Sequence, residues 1–167
     1  MGVDGKRIII GPHEGDQVPI GDGIAAVFKL EAVETAGAFV VVEHPVAPGV
    51  MVMPHTHERE DEFSFILDGE IGVRIGDRIA TATAGSYVLK PRGVPHTFWN
   101  ATDRPARILE IISPPGFERF FRDAAALAEL GASAEDPRWS ELGERYGLRF
   151  HDEWLDELEK RYRVRAV

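Results

Sequence analysis

The stretch Gly49-Val50-Met51-Val52-Met53-Pro54-His55-Thr56-His57, then Glu62 at the head of the apolar run Phe63-Ser64-Phe65-Ile66-Leu67 and a closing Asp68-Gly69, decides how this chain is read. His55 and His57 are two apart, so on a strand both imidazoles leave the same face. The parity carries back through Met53 and Met51, while Val50 and Val52 take the opposite face. A lone histidine here would read as a surface residue or a hydrogen-bonded core residue. A buried same-face pair needs a partner. Alternation puts Glu62 on the face of Ser64 and Ile66, where a carboxylate is costly to bury unless paired or metal-bound. A second stretch, from Gly85 to Asn100, carries Pro91-Arg92-Gly93 and then His96, which shares a strand face with Phe98.

Three imidazoles and one carboxylate form a donor set of intermediate hardness. It suits one divalent transition metal per chain, drawn from Fe, Mn, Co, Ni, Cu or Zn. Glu58, Glu60 and Asp61 crowd the connection and read as a solvated turn. Gly69, Gly85 and Gly93 read as turn positions with positive φ, and Asn100 as a residue that bonds backbone. His13, His44 and His151 match no pattern and read as structural or exposed. Met51, Met53, Ser64, Ile66 and Phe98 form the inferred inner face, as barrel core or as the lining of an apolar substrate pocket.

Outward from these stretches the chain divides in two. Arg7–Ile10, Ile24–Leu30 and Phe39–His44 are apolar or β-branched runs of strand length. Phe63–Leu67 and Ile71–Ile75 flank Asp68-Gly69, which predicts a hairpin. With 17 glycines and 11 prolines to punctuate them, the short runs predict mainly antiparallel strands from about residue 6 to 113. Beyond Pro114-Pro115-Gly116 the spacing becomes helical. One helix is expected over 117–130, stopped by Gly131, a second opens at Asp136-Pro137, and a third covers 151–162. The expectation is one all-β antiparallel barrel over residues 1–116, with 117–167 a helical extension of the same domain.

The 167 residues carry a net charge of −9 and no cysteine. That excludes a thiolate site and argues against a polyanionic partner such as nucleic acid. No apolar run is long enough for a membrane span or a leader, so a cytoplasmic protein is expected.

The fixed positions are Gly49, His55, His57, Glu62 and Gly69, then Gly85, Pro91, Gly93, His96 and Asn100. Together they resemble the two motifs of the cupin superfamily, with every spacing kept. The resemblance implies a double-stranded β-helix, or jelly-roll, barrel. It also implies that His55, His57, Glu62 and His96 ligate the metal. Gly37-Ala38-Phe39, the run from Ser113 to Phe121, and Tyr146-Gly147-Leu148-Arg149-Phe150 are similar to single-cupin quercetin 2,3-dioxygenase-like proteins. That similarity implies a metal-dependent dioxygenase acting on a small aromatic or enol-bearing, flavonol-like substrate. Glu62 would then be catalytic base as well as ligand, and a homodimer is implied. The alternatives are a cupin isomerase of a small sugar or keto acid, or a non-enzymatic small-molecule binding protein. A charge-poor inner face leans against sugars.

Overall fold

The computed structural model describes residues 8–133 and 136–167. Eleven strands precede the first helix: β1 (Asp16–Gly21), β2 (Ile24–Leu30), β3 (Val40–Val46), β4 (Val50–Met51), β5 (His55–His57), β6 (Asp61–Asp68), β7 (Glu70–Ile75), β8 (Arg78–Thr83), β9 (Tyr87–Lys90), β10 (His96–Trp99) and β11 (Ala106–Ser113). Then follow α1 (Glu118–Glu129), α2 (Arg138–Tyr146), β12 (Leu148–Phe150), a 3₁₀ turn at Asp152–Trp154, α3 (Leu155–Tyr162) and β13 (Arg165–Ala166). One sheet runs β1-β2-β3-β11-β6-β9. The other runs β12-β5-β10-β4-β13, with β7 joining β10 to β8. Among the described residues helices occur only after residue 116, as expected, and the pairing is antiparallel except between β4 and β13.

The two sheets face each other across one core. Ile24, Val46, Ile66 and Ile108 from the first meet Ile71, Val73 and Phe98 from the second. Ile66, Ile71 and Ile108 are at most 1% exposed, and burying such a side chain stabilises by about 1.5–3 kcal/mol. Alternation along β11 shows why the strand lies here: Ala106, Ile108, Glu110 and Ile112 point inward while the residues between them are half-buried.

Three local expectations need correction. Residues 8–10 form no strand, and Ile8 and Ile9 are exposed; Arg7 lies outside the described residues. Asp68-Gly69 does not close a hairpin. β6 pairs with β11 and β9 while β7 pairs with β10 and β8, so the chain crosses from one sheet to the other at this point. Gly69 takes φ +77° with the Ala106 backbone close by, leaving a side chain neither the conformation nor the room. The two-residue hairpin lies one strand later, at Gly76-Asp77 between β7 and β8. Finally, the C-terminal segment is not purely helical, because β12 and β13 return to the second sheet.

The extension covers the barrel in two places. Trp154, Leu155 and Leu158 share a helix face, as their spacing predicts, and pack with Met51, Trp99 and Val164. Phe117 and Phe121 insert among Phe28, Val40, Val42, Ile112 and Leu148.

His44 sits inside the barrel on β3, between the rings of Phe98 and Phe121, and its Nδ1–H donates to the Ala25 carbonyl at 2.9 Å. Burial, against the opposing pull of the Ala25 bond, lowers its pKa to about 4. As pH falls below about 6.5 the unfolded chain takes up this proton and the folded chain does not. Between pH 6.5 and 4 this one residue should therefore cost about 3 kcal/mol of stability. Urea unfolding of metal-free protein at pH 7 and 4.5 should show a flatter pH dependence in His44→Gln. An unchanged dependence would remove His44 as the cause.

Candidate metal centre

Two sheets supply the four candidate ligands. His55 and His57 lie on β5, His96 on its neighbour β10, and Glu62 on β6 of the facing sheet. Their candidate donor atoms all lie within 4.8 Å of one another, and all four residues are buried. Glu62 Oε1 is 3.2 Å from His57 Nε2, and Glu62 Oε2 is 3.2 Å from His96 Nε2.

The ring orientations are set locally. His55 Nδ1 lies 2.6 Å from the Met53 carbonyl and His96 Nδ1 lies 3.0 Å from the Val94 carbonyl. A carbonyl can only accept, so both Nδ1 atoms carry hydrogen and both Nε2 atoms offer lone pairs. The buried Nε2 atoms of His57 and His96 have no hydrogen-bond partner. Two buried ring nitrogens without a hydrogen-bond partner beside a buried carboxylate are what a divalent cation would satisfy, so the donor set fits the metal that the sequence implies.

The electrostatics differ from residue to residue. Burial, with His96 and His57 as like-charged neighbours, holds His55 well below its ordinary pKa. Burial also lowers His96, only partly offset by Glu62. For His57 burial is outweighed by Glu62 and Glu60, which raise it to about 9. Burial would raise the pKa of Glu62. The ammonium of Lys90, 2.8 Å from Oε2, and His57 outweigh it and hold Glu62 well below the carboxylate range.

Lys90 was not singled out in the sequence, and it changes the character of the interior. It is 2% exposed and also pairs with Glu110 Oε2 at 2.7 Å. Ser64 Oγ donates to the same carboxylate at 3.1 Å. Burial pushes Glu110 up to about 7, against the pull of Lys90. The inner face is therefore not charge-poor, contrary to expectation. A signal was present: Glu110 interrupts the apolar run Ile108–Ile112, and Lys90 shares the inward parity of Val88. A charge inside an apolar strand needs a buried partner.

The inferred lining scatters. Ile66 and Phe98 belong to the barrel core, and Ser64 bonds Glu110. Met53 is half-buried in the non-strand link after β4. Met51 does not share the histidine face; it packs with Trp99 under α3. Against β10, His55 pairs with His96 and Met51 with Trp99. Four steps along one chain thus oppose three along the other, and an extra residue of this kind reverses the parity. Val50 takes the inward position instead.

Phe117 covers His57 edge-on, with ring centroids 4.2 Å apart. A groove of about 700 Å³ lies elsewhere, lined by Ile75, Arg78, Ala80, Tyr87, Leu89 and Val94 among others; none of the four cluster residues lines it. Glu60 is not in a solvated turn but buried. Asn100 bonds backbone as expected, its Nδ2 donating to the Val46 and Arg104 carbonyls.

Residues 42–112 match the family model described as cupin domain. Germin-like protein 5-1 of Oryza sativa subsp. japonica is 32% identical over 120 residues, 68% of this chain and 52% of that protein. The chain thus spans about half the length of that relative. Among solved structures, KdgF from Halomonas sp. superposes with a TM-score of 0.61 at 18% identity, covering 68% of this chain and 99% of that one. An RmlC-like cupin from Shewanella frigidimarina gives 0.58 at 18%, covering 68% and 96%. The polyketide cyclase RemF from Streptomyces resistomycificus gives 0.55 at 24%, covering 64% and 78%. These likenesses show that the chain has the cupin fold.

Proposed function

We propose that the chain is a metal-dependent dioxygenase acting on a small aromatic or enol-bearing, flavonol-like substrate. His55, His57, Glu62 and His96 hold one divalent transition metal. When bound, the metal supplies Lewis acidity and open coordination positions. The observation that supports the reaction class is the Lys90–Glu62 ion pair. A carboxylate held anionic by a buried ammonium is in the state a base requires, yet it is a weak base. It suits an acidic hydroxyl, such as that of an enol or a flavonol, better than a C–H bond beside a carbonyl.

The isomerase reading gains support from the charged interior, but Lys90 and Glu110 are consumed by each other and by Glu62 and Ser64. Fold alone does not choose a reaction. The protein is further proposed to work as a homodimer; a monomeric mass by light scattering at micromolar concentration would remove that.

Metal analysis of purified protein should give close to one transition metal per chain. His57→Ala and His96→Ala should each cut occupancy sharply. Binding should weaken as pH falls from about 9, because imidazole must be neutral to ligate and His57, raised to about 9 by Glu62 and Glu60, is the ligand whose proton competes first. Equal occupancy in wild type and both variants would refute the centre. Oxygen uptake on a flavonol panel tests the reaction; metal binding without turnover on any substrate would leave a binding protein.

A further inference from the structure

Each of the three cluster imidazoles has an acceptor near its Nδ1. For His55 and His96 it is the carbonyl two residues back, in the link that leads into each strand. His57 is different. Its Nδ1 is buried without a hydrogen bond, and the atom facing it is Glu60 Oε2, 3.6 Å away and likewise buried without a partner. Glu60 is 5% exposed and His57 0%. Leaving a buried carboxylate oxygen unpartnered is costly, and Glu60 Oε2 faces the one cluster histidine whose outer nitrogen lacks a main-chain acceptor. At 3.6 Å the pair lies outside hydrogen-bond distance, and a small turn of the Glu60 side chain would close it.

The structure assigns Glu60 as the positioning residue of the centre, the carboxylate that accepts the His57 Nδ1–H, fixes the ring with Nε2 inward and strengthens that imidazole as a ligand. This rests on the reading that the cluster binds a metal. A carboxylate behind a ligating histidine raises its basicity, and losing such a partner weakens metal affinity by roughly 10–100-fold. Neither Glu58 nor Asp61 can take the role. Glu58 is exposed, and Asp61 is held by Arg92 at 2.7 Å.

The test is cobalt(II) binding by chelator competition in wild type, Glu60→Gln and the exposed control Glu58→Gln. Glu60→Gln should raise the cobalt dissociation constant by roughly 10–100-fold, while Glu58→Gln stays within about twofold. In the zinc-loaded protein the His57 Nδ1–H proton resonance should move upfield in Glu60→Gln, while those of His55 and His96 stay in place. Cobalt affinity equal to wild type, or an unmoved His57 resonance, overturns the assignment of Glu60 and leaves the metal centre standing. Wild type that binds no cobalt overturns both.

Discussion

Replacing Lys90 with methionine should lower the stability of the metal-free protein by about 3–5 kcal/mol at pH 7, the range for breaking a buried ion pair. For a chain of this size that is a fall in Tm of about 6–20 °C. Lys90 lies between Glu62 and Glu110, 2.8 and 2.7 Å from their oxygens, and none of the three is more than 5% exposed. Burial alone would neutralise the amine; Glu110 and Glu62 outweigh it and keep the ammonium charged. Methionine fills similar volume, so little of the loss would come from a cavity. What remains is two carboxylates sharing a dry site. Their folded pKa values would then lie above their unfolded ones. The penalty is complete above the folded values and disappears as pH falls through the unfolded carboxylate range. The deficit measured by urea unfolding should therefore shrink towards pH 4. The double variant Lys90→Met with Glu110→Gln should recover part of the loss at pH 7. A Lys90→Met protein within about 1 kcal/mol of wild type would show that the ion pairs carry no such weight.

Glu62→Gln should lower turnover per bound metal by roughly 10²–10⁴-fold, the usual contribution of a general base. The amide oxygen can still serve as a donor, so metal content should fall far less. In the proposed reading Glu62 takes both roles; its oxygens lie 3.2 Å from the Nε2 atoms of His57 and His96. Lys90 keeps it anionic at neutral pH and ready to accept a proton from an acidic hydroxyl. The measurement is oxygen consumption per metal across Glu62→Gln, Glu62→Asp and Glu62→Ala, with flavonols as the first substrates. If activity and occupancy drop together across the series, Glu62 is a ligand only. Wild-type turnover per metal in Glu62→Gln would end the base assignment and leave the barrel and its centre intact.

The barrel, the helical end and the four converging residues are legible in the sequence, because these rest on spacing. Two histidines at i and i+2 share a strand face whatever surrounds them, and Glu62 and His96 take their faces from the parity of β6 and β10. Phe117–Leu130 and Trp154–Leu158 show helical periodicity that needs no partner to be seen. Parity counts fail where the strand is interrupted. Met51 was carried to the wrong face by counting across residues 52–54, where the pairing with β10 gains an extra residue. Asp68-Gly69 has the chemistry of a hairpin turn, but pairing is a choice among strands, and β11 and β9 occupy both sides of β6. Only the tertiary structure decided the charges around the cluster. Lys90 and Glu110 lie 20 residues apart and meet because β9 and β11 flank β6. Glu60 stands in a run of acidic residues that composition alone marks as solvated. It is buried facing His57 three residues back, and residue type alone does not tell it from its exposed neighbour Glu58.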